Sequence, residues 1–132
     1  MLNKKLLYTS SISLILIAVF DYFAIKLSWY WKYKSLDIPV HLIAGFGVSM
    51  MVLFVYTNFI KRIDAPDNNK KAIIVSIISV FVVCILWELY ELYIGRTSIS
   101  SSIYASDTLG DIVNGFIGGL ISCLIFKKIK SL

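Results

Sequence analysis

The sequence predicts an all-α integral membrane bundle of four helices with both termini in the cytoplasm, and three observations predict it. Of the 132 residues, 58% are hydrophobic and 16% charged, against roughly 45–50% and about 25% in soluble domains. The apolar residues gather into four runs, each near the ~20 residues needed to cross a bilayer. The 13 Lys and Arg residues divide unevenly between alternate ends of those runs. At this length the chain is one domain, residues 1–132, with no room for a separate soluble catalytic domain.

The first run extends from Leu6 to Trp29. Lys4 and Lys5 precede it, and together with the apolar stretch to Phe20 they also imitate a secretory signal with a cleavage point near Ala24. Trp29, Tyr30, Trp31 and Tyr33 follow it and read as an interfacial aromatic belt. The second run, Ile38 to Phe59, is entered through Asp37 and Pro39, a helix-starting pair. The third runs from Ala72 to Tyr93, with Trp87, Tyr90 and Tyr93 extending the belt. The fourth runs from Leu109 to Phe126, behind Ser106 and Asp107 as candidate caps. Asp64-Ala65-Pro66-Asp67 marks a turn between the second and third runs, and a serine-rich connection from Ile94 to Ser106 joins the third to the fourth. Cys84 and Cys123 each stand alone inside apolar sequence and read as small buried hydrophobes.

Sidedness follows from the cations. Lys4, Lys5, Lys61, Arg62, Lys70, Lys71, Lys127, Lys128 and Lys130 fall at one face; Lys26, Lys32, Lys34 and Arg96 fall at the other. By the positive-inside rule the first face, with both termini, is cytoplasmic. The net charge of +5 is thereby a topology and anionic-lipid signal, and nucleic acid is excluded as a partner.

Adding depth to this map brings the acids together. Asp21, Asp37, Glu88, Glu91, Asp107 and Asp111 lie in the outer half, leaving Asp64 and Asp67 at the cytoplasmic face. His41, the only histidine, and Asn114 lie at comparable depth. Asp37 and His41 are four residues apart, Glu88 and Glu91 three, and Asp107 and Asp111 four, so each pair shares a helix face. Ionisable groups within membrane helices cost several kcal/mol unless they face the bundle interior or water. Gly45 and Gly47, and Gly115, Gly118 and Gly119, allow the close helix approach that would turn these faces inward. The candidate ligand-binding set is Asp37, His41, Glu88, Glu91, Asp107, Asp111 and Asn114, with Asp21 in a second tier. Structural alternatives stay open: helix caps for Asp37 and Asp107, and a core histidine for His41.

The patterns DIPVH (Asp37 to His41), ELYE (Glu88 to Glu91) and DIVNGFIGG (Asp111 to Gly119) resemble, in that order, the VanZ-like family of small bacterial membrane proteins. Glu91 stands where that family usually has Gln, and Asp107 where it has Arg. Trp87-Glu88-x-x-Glu91 followed by Asp107 and Asp111 is equally similar to the YjdF-type membrane family. The VanZ-like resemblance implies a link to teicoplanin resistance, hence an envelope lipid or glycopeptide-like ligand.

Carboxylates gathered in low dielectric must share protons, a cation or a cationic substrate. Three function classes therefore stay open. A divalent cation on Glu88, Glu91, Asp111 and His41 would serve a membrane-embedded hydrolase of a lipid or lipid-linked substrate, with Glu88, Asp111 and His41 as candidate catalytic residues. Proton- or cation-coupled transport would use the same carboxylates with His41, and in so small a bundle would call for a homo-oligomer. A binding protein would use the polar groups for packing and recognition. No HExxH, GxSxG or P-loop is present, so no enzyme class is assigned.

Overall fold

The computed structural model describes residues 2–60, 69–97, 99–100 and 102–130, and among them it is helical apart from short turns, without a strand. The elements are α1 (Leu2–Lys26), a short α2 (Trp29–Lys32), a 3-10 turn (Lys34–Leu36), α3 (Asp37–Val55) continued by a π-helical turn (Tyr56–Ile60), α4 (Asn69–Tyr93) and α5 (Tyr104–Lys130). Four helical stretches, Lys4–Lys26, Asp37–Ile60, Asn69–Tyr93 and Tyr104–Lys128, are long and apolar enough to cross a membrane. The turn expected at Asp64 to Asp67 lies outside the described residues.

Helix ends depart from the sequence reading in informative ways. Asp37 is the first residue of α3 and not its cap; Leu36 occupies the cap position, with no side-chain cap bond. Pro39, two residues on, sits in the first turn, where the missing N–H leaves no intrahelical bond unmade. The fourth membrane helix begins at Tyr104, five residues before Leu109, so Ser106 and Asp107 lie in its first turn. Ser106 Oγ donates back to the Ile103 carbonyl at 2.9 Å. α1 runs unbroken through Ala24 and ends at Lys26, after which Ser28 adopts a left-handed conformation, φ 56°.

The end of α4 sets the path of the connection to α5. Gly95 has φ +72°; its N–H donates to the Leu92 carbonyl at 3.2 Å, and the Arg96 N–H donates to the Glu91 carbonyl at 2.9 Å. This pair of bonds is a Schellman motif, which satisfies carbonyls of the last turn and reverses the chain over the helix end. It returns Arg96 toward α4.

α3 is the central element: it packs against α1, α4 and most extensively α5, while α1 and α4 barely touch each other. The α3–α5 crossing is made by glycine. A Cβ at Gly45 would collide with the Gly115 carbonyl, and one at Gly118 with the Leu42 carbonyl. Along the bundle the interior changes character in tiers. At the end holding the termini, Leu6, Met50, Leu53, Tyr56, Ala72, Cys123 and Phe126 form an apolar core. Above it is a buried serine layer, where Ser49 and Ser76 share a 2.8 Å hydrogen bond and Ser49 also donates to the Gly119 carbonyl at 3.2 Å. The far end carries the acids. Outward-facing Ile12, Ile15, Leu16, Ile74, Ile78 and Leu124 are exposed, as suits helices that meet hydrocarbon. Cys84 and Cys123 are buried and unpaired.

Gly118→Leu is expected to force α3 from α5 and to lower the melting temperature in detergent, by the equivalent of about 1–3 kcal/mol or more. Gly110→Ala, where an added Cβ meets open space, is expected to be neutral or to stabilise by up to ~1 kcal/mol through helix propensity. Thermal melts of the two variants check the glycine crossing; equal effects would contradict it.

Candidate functional site

One guanidinium joins three of the four membrane helices. Arg96 Nη1 lies 2.9 Å from Glu91 Oε1 of α4 and 3.2 Å from Asp21 Oδ1 of α1, and Nη2 lies 3.1 Å from Asp37 Oδ1 of α3. The same group stacks over the Tyr30 ring at 3.8 Å, and the Tyr30 hydroxyl donates to Asp21 Oδ1 at 2.7 Å. A planar, five-donor guanidinium suits several carboxylates and an aromatic face at once; a lysine ammonium does not. Burial works against the charge on Arg96, but Glu91, Asp37, Tyr30 and Asp21 outweigh it and raise its pKa. Burial and the bond to Asp21 push the Tyr30 phenol well above its ordinary range.

Trp87 extends this network from one helical turn away, its Nε1 donating to Glu91 Oε1 at 2.7 Å. α5 joins through Thr108, whose hydroxyl donates to Glu88 Oε2 at 2.8 Å. Trp87 and Tyr30 are therefore more than members of an interfacial belt.

Deeper than the Arg96 layer, His41 Nε2 lies 3.7 Å from Asp37 Oδ1 and 3.7 Å from Asp111 Oδ1. Both separations exceed a hydrogen bond. Four buried side-chain polar atoms among the described residues have no partner, and two of them, His41 Nε2 and Glu88 Oε1, belong to this cluster. Each of those residues is 5% exposed. Leaving such atoms unpaired costs about 1–3 kcal/mol each, which marks this cluster as the candidate site.

The donor atoms form two overlapping sets. Asp37, His41 and Asp111 make one, Glu88, Glu91 and Asp111 the other, and within each set the ligand atoms lie within 4.8 Å of one another. A cation bound at roughly 2.0–2.6 Å to each ligand fits that spacing. Asp111, buried on α5, belongs to both.

The candidates from sequence thus fall into separate places. Asp37, His41, Glu88, Glu91 and Asp111 come together, and Asp21 joins them through Arg96. Asp107 is exposed one turn above Asp111 and forms no ion pair among the described residues. Asn114 is half-buried one turn below Asp111 and makes no side-chain hydrogen bond among the described residues. Arg96 is the central residue that sequence reasoning passes over, as one of four outer cations. Two signals point to it: six acids in one layer need a counter-charge, and Arg96 follows Glu91 by five residues across a glycine.

Arg96→Gln is expected to destabilise the bundle by about 3–5 kcal/mol, because it leaves buried carboxylates uncompensated. Adding Glu91→Gln should restore part of the loss, and thermal melts in detergent measure both. Gly95→Ala keeps every side chain of the site yet strains the left-handed turn at a cost of about 1 kcal/mol; it should shift the melt in the same direction as Arg96→Gln, and to a lesser extent.

No curated protein and no solved structure matches this chain. A family match does cover nearly all of it, residues 4–131. Four candidate spans and that match make it a polytopic membrane protein, and the chain belongs to the DUF2238 family, described as predicted membrane protein.

Proposed function

We propose that the protein holds a divalent cation at the extracytoplasmic end of its bundle and uses it to bind or act on a membrane lipid or lipid-linked envelope substrate. The observation that carries this reading is the buried, unpartnered His41 Nε2 between Asp37 and Asp111. A neutral imidazole nitrogen beside carboxylates is a donor set for zinc or manganese. The second set, Glu88, Glu91 and Asp111, extends it through the shared Asp111. A bound cation supplies Lewis acidity and an acidified water. The protein's own groups do the positioning: Arg96 holds Asp37 and Glu91, Trp87 holds Glu91, and Thr108 holds one oxygen of Glu88 while the other stays buried without a hydrogen-bond partner.

A proton relay is the competing use of the same residues. The 3.7 Å separations of His41 from both aspartates favour an ion between them over direct proton passage, which needs hydrogen-bond contact. Extracytoplasmic placement rests on the nine-to-four division of Lys and Arg. The VanZ-like motifs add support for a cell-envelope role, with glycopeptide-like ligands as a further class.

Metal analysis of protein purified after exposure to Zn2+ or Mn2+ tests the reading. Wild type is expected to retain at least one ion per chain, with Asp111→Asn and His41→Ala each lowering occupancy at least tenfold. Retention of no ion by wild type sinks the proposal. For orientation, Ser102→Cys in a background free of Cys84 and Cys123 should react with an impermeant thiol reagent from outside the cell, and Lys70→Cys should not. The reverse pattern would invert the topology.

A further inference from the structure

Directly beneath the polar layer lies a cavity of about 350 Å3 between α1, α3 and α4. Its wall is hydrocarbon, from Ile17, Val40, Ala44, Val48 and Val83, and its rim carries Asp21, His41 and Trp87. From His41 to Val48 it is two helical turns deep, ~10 Å at 1.5 Å per residue. Because α1 and α4 each pack on α3 and scarcely on each other, the cavity faces the lipid between them. The α4 wall is open there, with Val83 39% exposed.

The geometry points to an amphiphile with one hydrocarbon chain and a phosphate head as the ligand of this site: the chain enters between α1 and α4 and fills the cavity, and the head meets the cation at His41 and Asp111. This inference rests on the cation reading above. Three features select that occupant. A site reached from the bilayer through an apolar slot takes a ligand that partitions into lipid. A volume of this size suits one chain; the apolar groove between α1 and α3, about 680 Å3, shares Ile17 and Val40 with the cavity but carries none of the cluster's acids. For the head, Arg96 is already held by three carboxylates and a ring, so the attraction for an anion at His41 must come from the cation. Phosphoryl oxygens are ligands that bound Zn2+ or Mn2+ accepts and polarises. Trp87 touches both parts, lining the cavity and bonding Glu91.

Trp87 also supplies the measurement. In protein carrying Trp29→Phe and Trp31→Phe, Trp87 is the remaining tryptophan and reports on a brominated chain by fluorescence quenching. The full chain in phosphatidylcholine nanodiscs, loaded with Zn2+ or Mn2+, is titrated with bromododecyl phosphate, bromododecyl maltoside and bromododecyl trimethylammonium. The expected result is saturable quenching by the phosphate, at least tenfold tighter than by the neutral or cationic heads, and lost on chelation of the metal. Ala44→Leu and Val83→Phe fill the cavity from two helices, and each should weaken binding at least fivefold with metal content retained. Equal quenching by all three heads would mean that ordinary lipid wets the cavity, and it overturns the inference, as does preference for the cationic head. Metal uptake without quenching overturns it while leaving the cation site standing. No metal uptake removes the site reading and the phosphate preference with it.

Discussion

The structure depends on a charge imbalance held within one low-dielectric layer. Five carboxylates, those of Asp21, Asp37, Glu88, Glu91 and Asp111, gather around a single guanidinium, that of Arg96. Three of them are its direct partners, and those three come from α1, α3 and α4. In a medium where an unpaired charge costs several kcal/mol, that arrangement does two things. It ties the ends of three helices opposite the chain termini to one point, and it leaves Glu88 and Asp111 outside the direct reach of the compensating charge. The tie is structural and the remainder is chemical. The orphaned atoms of His41 and Glu88 lie on the side of the remainder.

The rest of the bundle is arranged so that this layer can exist. Glycine at Gly45 and Gly118 brings α3 and α5 close enough for His41 and Asp111 to face each other. The serine layer and the apolar core below it hold the other end shut. Between the two, α1 and α4 stay apart, and the space they leave is apolar where the layer above is charged.

The four membrane helices are legible in the sequence because a bilayer demands long apolar runs, and runs of that length are visible residue by residue. Convergence of the acids on one end is legible too, since alternate helix directions and residue counts give depth. The contacts are less so. Trp87 and Tyr30 look like interfacial aromatics from position alone, because nothing in a linear sequence says that an indole N–H will find Glu91 or a phenol Asp21. Arg96 sits in a connection, where periodicity carries no information, and its placement follows from a left-handed Gly95 that redirects the chain. Sequence places the start of α5 too late because Ser106 and Asp107 are favoured caps, whereas here they enter the helix and Ser106 bonds back to Ile103. The cavity is not legible at all: it comes from which helices fail to touch.

Arg96 lies late in the chain, and the acids it serves lie early. Asp21 and Asp37 leave the ribosome with α1 and α3, long before the residue that neutralises them, since synthesis and folding proceed from the N-terminus. Until α4 and Gly95 have been made, those two carboxylates lack the guanidinium that pairs with them in the finished bundle. Their position near the ends of α1 and α3, and not at mid-bilayer, makes that waiting state tolerable. The tie between α1, α3 and α4 therefore closes only once the α4 terminus has been made, because the one guanidinium that joins them follows it.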